Sequence, residues 1–226
     1  MTEGFTIYSI AHIRTDFKEK FGIPRQSGRV ETLGKIVFAP EYRSPEALRG
    51  IERFSHLWLI FDFSLAHREG FSPTVRPPRL GGNTRVGVFA SRSPFRPNAM
   101  GLSSVKLVAV EHSEKDGDCL IVSGADLLDG TPIYDIKPYL PFTDSHPDAV
   151  GGYADEHLDH RLEVVFPKEL LERIPAEKRE SAIGCLADDP RPSYQEDADR
   201  IYHMAFAENE ISFTVCSNVL TVIDVT

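Results

Sequence analysis

The sequence predicts a mainly β protein: an antiparallel sheet domain followed by a smaller α+β domain. Three observations carry this reading. The first 140 residues hold seven short β-branched or aromatic runs bounded by Gly, Pro, Asp or Asn, with no long helical pattern between them. The last 65 residues switch to a helical pattern followed by three alternating segments. Between them lies an acidic stretch poor in apolar residues, from Gly151-Gly152 to about His160. Domains at 1–155 and 156–226 follow.

In chain order, strands are expected at 6–13 (TIYSIAHI), 34–39 (GKIVFA), 56–63 (HLWLIFDF), 86–90, 104–110 (SVKLVAV), 119–123 and 133–136. Their spacing is irregular, with long loops at 14–33 and 64–85. SPEALRG, residues 44–50, carries a helix-start pattern of Ser, Pro and Glu. Strands without intervening long helices favour an antiparallel sandwich or barrel over a doubly wound sheet. Further on, 162–166 reads as a strand and 167–173 and 176–187 as helices. Asp188-Asp189-Pro190-Arg191-Pro192 stops the second helix. Segments 200–207, 211–216 and 219–225 then form an antiparallel meander joined by short turns at 208–210 and 217–218.

Composition narrows the class. The apolar fraction of 41% suits a globular core, and no apolar run approaches the roughly 20 residues of a membrane span. The N-terminal segment lacks the basic-then-apolar order of a secretion signal. Cys119, Cys185 and Cys216 stand far apart without a CxxC, which argues for a reducing, cytoplasmic setting. No histidine or acidic spacing matches a metal site, so no metal is expected. Neither GxGxxG, GxxxxGK[ST] nor GxSxG occurs. The net charge of −9 is unevenly spread: residues 1–110 hold 16 basic and 9 acidic side chains, residues 111–226 hold 9 and 25. Within 64–106 there are seven basic residues against one acidic, Glu69. Such a local field attracts polyanions even on an acidic protein.

Residues 76–103, RPPRLGGNTRVGVFASRSPFRPNAMGLS, carry Arg76, Arg79, Arg85, Arg92 and Arg96 and no acidic residue. Proline stiffening lowers the entropy cost of aiming these donor forks at an anion. GIPRQSG, residues 22–28, offers Arg25 and Gln26 in a compact loop; a plain surface turn explains it equally well. Asp129-Gly130-Thr131-Pro132 is by itself an ordinary turn, but Tyr134, Asp135 and Lys137 follow it, and a buried Asp there would need Lys137 or an arginine as partner. Tyr194 and Arg191 of DDPRPSYQ suit a base and an anion; a helix terminator with solvated charges is the competing explanation.

Taken together, GIPRQSG, the PEYR…PEALRGIERFSHLWLIF run, PRLGGNTRVGVFASRSPFRPNAMGLS, DLLDGTPIYDIKPYLP and DPRPSYQ resemble the TsaA/TrmO-like family of S-adenosylmethionine-dependent tRNA methyltransferases, over nearly the whole chain. The resemblance implies an N-terminal β-barrel and a homodimer with the cofactor, S-adenosylmethionine, near the subunit interface. It implies the N6 nitrogen of threonylcarbamoyladenosine, beside the anticodon of threonine tRNA, as methyl acceptor. Carried over by motif, the cofactor residues are Pro24, Arg25, Gln26, His67, Arg68, Arg92, Leu102, Asp129, Gly130, Thr131 and Pro132. Asp135 and Tyr194 are the candidate bases. Arg92, Arg96 and Arg191 are candidates for the threonyl carboxylate, with Asp189 and Tyr194 beside them on the substrate side, and the basic 64–106 segment would meet anticodon-stem phosphates. Two rival readings remain: a non-catalytic RNA-binding barrel, and a methyltransferase for a small acidic metabolite.

Overall fold

The computed structural model describes residues 4–77, 84–157, 160–192 and 197–226. Alternation of buried and outward side chains builds the first unit. Strands β1 (Ala11–Arg14), β2 (Leu33–Phe38) and β3 (His56–Asp62) are followed by a two-stranded ribbon of β4 (Thr74–Val75) and β5 (Val86–Gly87). Strands β6 (Met100–Ser113), β7 (Gly117–Ser123) and β8 (Pro132–Pro138) complete it. The order β1-β2-β7-β6-β3-β8 closes on itself through Ala11 opposite Ile133 and His12 opposite Pro132, and every pairing in this ring is antiparallel. Closure leaves no unpaired edge. The period of two sends Ala11, Ile13, Ile36, Phe38, Leu57, Leu59, Phe61, Val105, Leu120, Val122 and Ile133 into one apolar core. Gly101 faces Phe61 across β6 and β3, where a Cβ would lie 2.2 Å from the ring, so the aromatic fits only because the side chain opposite is missing.

The second unit holds β9 (Glu163–Val165), α1 (Lys168–Leu171), α2 (Arg179–Ala187), β10 (Tyr202–Phe206), β11 (Asn209–Cys216) and β12 (Val219–Val225). The last three strands form the expected meander, and β9 joins β12 in parallel. Its core of Ile174, Leu186, Met204, Phe206, Phe213 and Leu220 also contains Phe17 and Val30, with Phe21 and Ile23 packed against it. Those four side chains come from the β1–β2 connection, so a segment of the first unit completes the second core. Gly22, at φ +95, lets this connection lie on β10: a Cβ there would meet the Met204 side chain at 2.5 Å.

Several boundaries differ from expectation. Residues 6–10 are not strand: Ile10 bonds to Ile133 and Ala39, but Ala11 is the first residue in register with both β2 and β8. The run at 86–90 gives two strand residues and then a 3-10 turn, Val88–Ala90, which carries the chain off the ribbon. SPEALRG forms a 3-10 turn, Pro45–Leu48, too short for an α-helix. The expected loop 64–85 contains β4, and β6 runs 14 residues where seven were expected.

Candidate active site

One pocket opens where the end of β3 meets the β7–β8 connection. Phe61, Asp62, Phe63, Ser64, Leu65 and Ala66 form one wall; Asp126, Leu127, Leu128 and Thr131 form another. Lys20 and Ile23 of the β1–β2 connection and Pro94 of the arginine-rich loop close it. It is thus an apolar hollow with two carboxylates, one ammonium and two hydroxyls.

Asp126 is held from three sides. The Ser103 hydroxyl donates to its Oδ1 at 2.6 Å, the backbone at Ser27 hydrogen bonds to it, and Arg92 contributes positive charge. Burial nevertheless prevails and pushes its carboxyl above the usual aspartate range. Ser103 reaches it from the inward face of β6, where it is 4% exposed and follows Gly101.

Asp62, at the end of β3, holds His67 Nε2 at 2.8 Å and is hydrogen bonded by the Tyr134 hydroxyl. Burial, then the Asp62 contact, raises the Tyr134 phenol above its usual range. Arg68 projects from the same turn, with its guanidinium carbon 3.5 Å from the centre of the Phe95 ring, a cation–π contact.

The β7–β8 connection is fixed through its polar groups. Asp129 Oδ1 accepts the Thr15 amide at 3.1 Å, and Lys18 and Arg14 approach its other oxygen at 3.5 and 3.8 Å. Gly130 turns the chain at φ +79, and the Thr131 hydroxyl donates to the Leu128 carbonyl at 2.7 Å. Asp129 and Gly130 therefore shape the wall, and Thr131 lines it.

Arg92, whose charge acts on Asp126, donates to Gln26 Oε1 at 2.5 Å. Pro24 is buried. Arg25 turns towards the second unit: its amide donates to Asp188 at 3.2 Å, and its guanidinium donates to the carbonyls of Asp189 and Arg191 at 2.9 and 2.5 Å. Asp188 also accepts from Arg29. Asp189 is clamped by Arg191 at 2.9 and 3.1 Å and by His160 at 3.0 Å. Burial pushes the Asp189 carboxyl up, but Arg191 and His160 outweigh it and hold it below the usual range. Asp189, with a smaller contribution from Tyr202, holds Arg191 charged against its own desolvation.

The structure thus separates the expected residues into groups. Thr131 lines the pocket, His67 is tied to its wall through Asp62, and Arg92, bonded to Gln26, lends positive charge to Asp126 of its wall. Leu102 and Asp135 lie on the outer wall of the barrel, both paired with Ile60. Asp135 is half exposed and bridged to Lys137 at 3.0 Å. The bulge at Ile60/Phe61 shifts the β3–β8 register, and Asp135 stays on the outer face with Ile60 instead of pointing inward. Arg96 braces its own loop, donating to the carbonyls of Ser91 and Ser93 at 3.0 and 3.3 Å. Asp189 and Arg191 buttress Arg25. Tyr194 lies outside the described residues, as does Arg79. Asp126, Ser103, Asp62 and Lys20 did not emerge from the sequence as site residues. The available signal was Ser103, a polar residue at a core-facing position of an alternating strand. Among the described residues, no group of three or more His, Cys, Asp or Glu is arranged to hold a metal, and no helix is long and apolar enough to cross a membrane.

Comparison with known proteins places this arrangement. The family model for the tRNA-methyltransferase O N-terminal domain matches residues 12–145, and that for the TrmO C-terminal domain matches 159–226. A tRNA (adenine(37)-N6)-methyltransferase of Escherichia coli (strain K12) is 45% identical over 199 residues, 85% of this chain and 84% of that protein. A protein of Pseudomonas aeruginosa named as a putative S-adenosylmethionine-dependent methyltransferase, RcsF, is 41% identical over 199 residues, 84% of each. The crystal structure of TrmO from P. aeruginosa superposes with a TM-score of 0.81 at 32% identity, covering 100% of this chain and 98% of that one. Both matched regions coincide with the two sheets described above, in the same order, and the chain belongs to the tRNA-methyltransferase O family.

Proposed function

We propose that this protein transfers the methyl group of S-adenosylmethionine to the N6 nitrogen of adenine 37 of tRNA, with the adenine carried as threonylcarbamoyladenosine in threonine tRNA. The observation that carries this reading is the match of both units to relatives named for methylation of adenine 37 at N6, with motif residue Thr131 lining one pocket and Arg92, bonded to Gln26, acting on its Asp126.

The pocket suits the cofactor. Phe61, Phe63, Leu65, Ala66 and Leu127 offer an apolar bed, and Asp62 and Asp126 offer negative charge to a molecule that carries an ammonium and a sulfonium. Gln26, Arg92, His67 and the 129–132 turn would hold it; when bound it supplies an activated methyl group. Orienting donor and acceptor is the main task of the protein chain. The acceptor nitrogen bears a proton, and its lone pair is delocalised into the adenine and the carbamoyl group. We assign removal of that proton to Asp126, whose burial makes it more basic than an exposed aspartate. Arg92 is the exposed one of the three arginines nominated for the threonyl carboxylate, while Arg96 and Arg191 are committed to the protein's own carbonyls and carboxylates.

A homodimer is the proposed assembly. Its support is the outward face of β6, where Met100, Leu102, Val108 and Val110 are all exposed apolar side chains on one strand. A cytoplasmic enzyme acting on mature tRNA is the proposed setting. The test is incubation of the purified protein with S-adenosylmethionine and threonine tRNA with or without the threonylcarbamoyl group, followed by nucleoside mass spectrometry. A gain of one methyl group on the modified adenosine alone is expected. Methylation of both forms, or of neither, contradicts the substrate assignment.

A further inference from the structure

The β4–β5 ribbon carries a feature that the pocket does not use. Phe71 and Phe89 leave 58% and 75% of their surface in solvent, yet their rings contact each other, centroids 6.3 Å apart and planes inclined by 25°. Isolated exposed apolar residues need no explanation, but a stacked aromatic pair held open to water does. The pair is held by the ribbon register: Thr74 faces Gly87 and Val75 faces Val86. The Val88 amide donates to the Pro73 carbonyl at 3.0 Å, and Val88 is buried beneath.

Continuing the same register by one step sets Arg76 opposite Arg85, both exposed. Like charges facing each other across a ribbon are unfavourable. No acidic residue lies between Glu69 and Glu111 to relieve them, and Arg85 turns to the Thr74 hydroxyl at 3.0 Å. The ribbon therefore combines uncompensated positive charge with open aromatic faces, the pairing that recognises unstacked nucleotides: phosphates by the cations, bases by the rings. A protein surface would favour a less charged patch. The position suits this role, since Phe89 is three residues from Arg92, within about 10 Å along the chain, and the charge of Arg92 acts on Asp126 of the pocket wall.

We propose that Phe71 and Phe89 form a stacking platform for unpaired anticodon-loop nucleotides flanking the methylated adenine, with Arg76 and Arg85 gripping their phosphates. This rests on the tRNA reading above. Holding the neighbouring bases offsets part of the cost of extracting the target from the loop stack.

The test uses the full-length protein and a threonylcarbamoylated anticodon stem-loop with 2-aminopurine beside the target adenine. Phe71→Leu with Phe89→Leu keeps the apolar volume and removes the rings. Stem-loop affinity is expected to fall about 5- to 100-fold, with loss of 2-aminopurine quenching and an unchanged salt slope. S-adenosylmethionine affinity by calorimetry stays as in the wild type. Arg76→Gln with Arg85→Gln instead lowers the salt slope by about one unit per arginine. Stem-loop affinity within about twofold of wild type in the double Leu variant, while the wild type still methylates, overturns the platform and leaves the tRNA reading standing. A change in oligomeric state with unchanged RNA affinity assigns the rings to a second copy and also overturns it. Wild-type protein that neither binds nor methylates the stem-loop overturns both.

Discussion

Arg92 and Gln26, 66 residues apart, meet at 2.5 Å, and this contact ties the arginine-rich loop to the β1–β2 connection. A guanidinium donating to a neutral amide oxygen is a charge-assisted bond. Gln26→Leu removes the acceptor and frees the Arg92 fork to wander. Turnover efficiency is expected to drop at least about tenfold, in line with the loss of one charge-assisted hydrogen bond, with the melting temperature nearly unchanged. Steady-state kinetics and a thermal melt together check this.

Asp126 sets a pH expectation whose sign follows from burial. Its carboxyl is raised, so the active ionised form is lost as pH falls through a value above the ordinary 3.9 or so. The rate should show an acidic limb there. Asp126→Asn should abolish that limb and lower kcat by about 100- to 10,000-fold. Folding prefers the neutral form of a carboxyl whose pKa is raised, so the Asn variant should melt no lower than wild type at pH 7. Lys20, Asp62 and Arg92 are the other charged groups at this pocket, and the wild-type limb should persist in Lys20→Gln.

Asp189 behaves in the opposite way. Its carboxyl is lowered, so its stabilisation is present above about pH 4 and disappears as pH falls through the folded-state value. Asp189→Asn leaves Arg191 buried against a neutral partner and should cost about 3 kcal/mol in urea unfolding at pH 7. Replacing the pair together, Asp189→Leu with Arg191→Met, should recover most of that loss.

Gly101→Ala drives a methyl group into the Phe61 ring and should destabilise by about 1–3 kcal/mol. Phe61 also lines the pocket, so cofactor affinity should weaken too. Phe61→Leu in the same background should restore stability; differential scanning calorimetry measures both.

Strands with a strong alternating pattern were legible in sequence. His56–Asp62 and the three C-terminal strands stand close to where the periodicity put them, because one face of each is buried. Less legible were features that depend on partners distant in the chain. β6 starts early because Met100 to Ser103 pair with β3, far back in the chain, and it ends late because its hairpin with β7 continues to Ser113 opposite Gly117. One of Tyr134, Asp135 and Lys137 was expected inward; the register shift that skips Tyr134 in β8 leaves Asp135 outside with Ile60. Asp126 did not stand out in sequence; the hydroxyl of Ser103, brought over from β6, the backbone at Ser27 and the charge of Arg92 mark it as a held carboxylate.

The β1–β2 connection gives Phe17 and Val30 to a core whose other members begin at Leu162. During synthesis the barrel strands emerge first, and β8 can close the ring before the second sheet exists. The connection is then tied to the barrel through Gly28 on Gly124 and Gln26 on Arg92, but Phe17 and Val30 have no second core to enter until β10 to β12 arrive. Its Gly22 seats on Met204 and its Arg25 on Asp188 and Asp189, all supplied late. The β1–β2 connection therefore reaches its final packing only when the last strands fold against it. Long-range closures of this kind are the slow step in assembling a β protein.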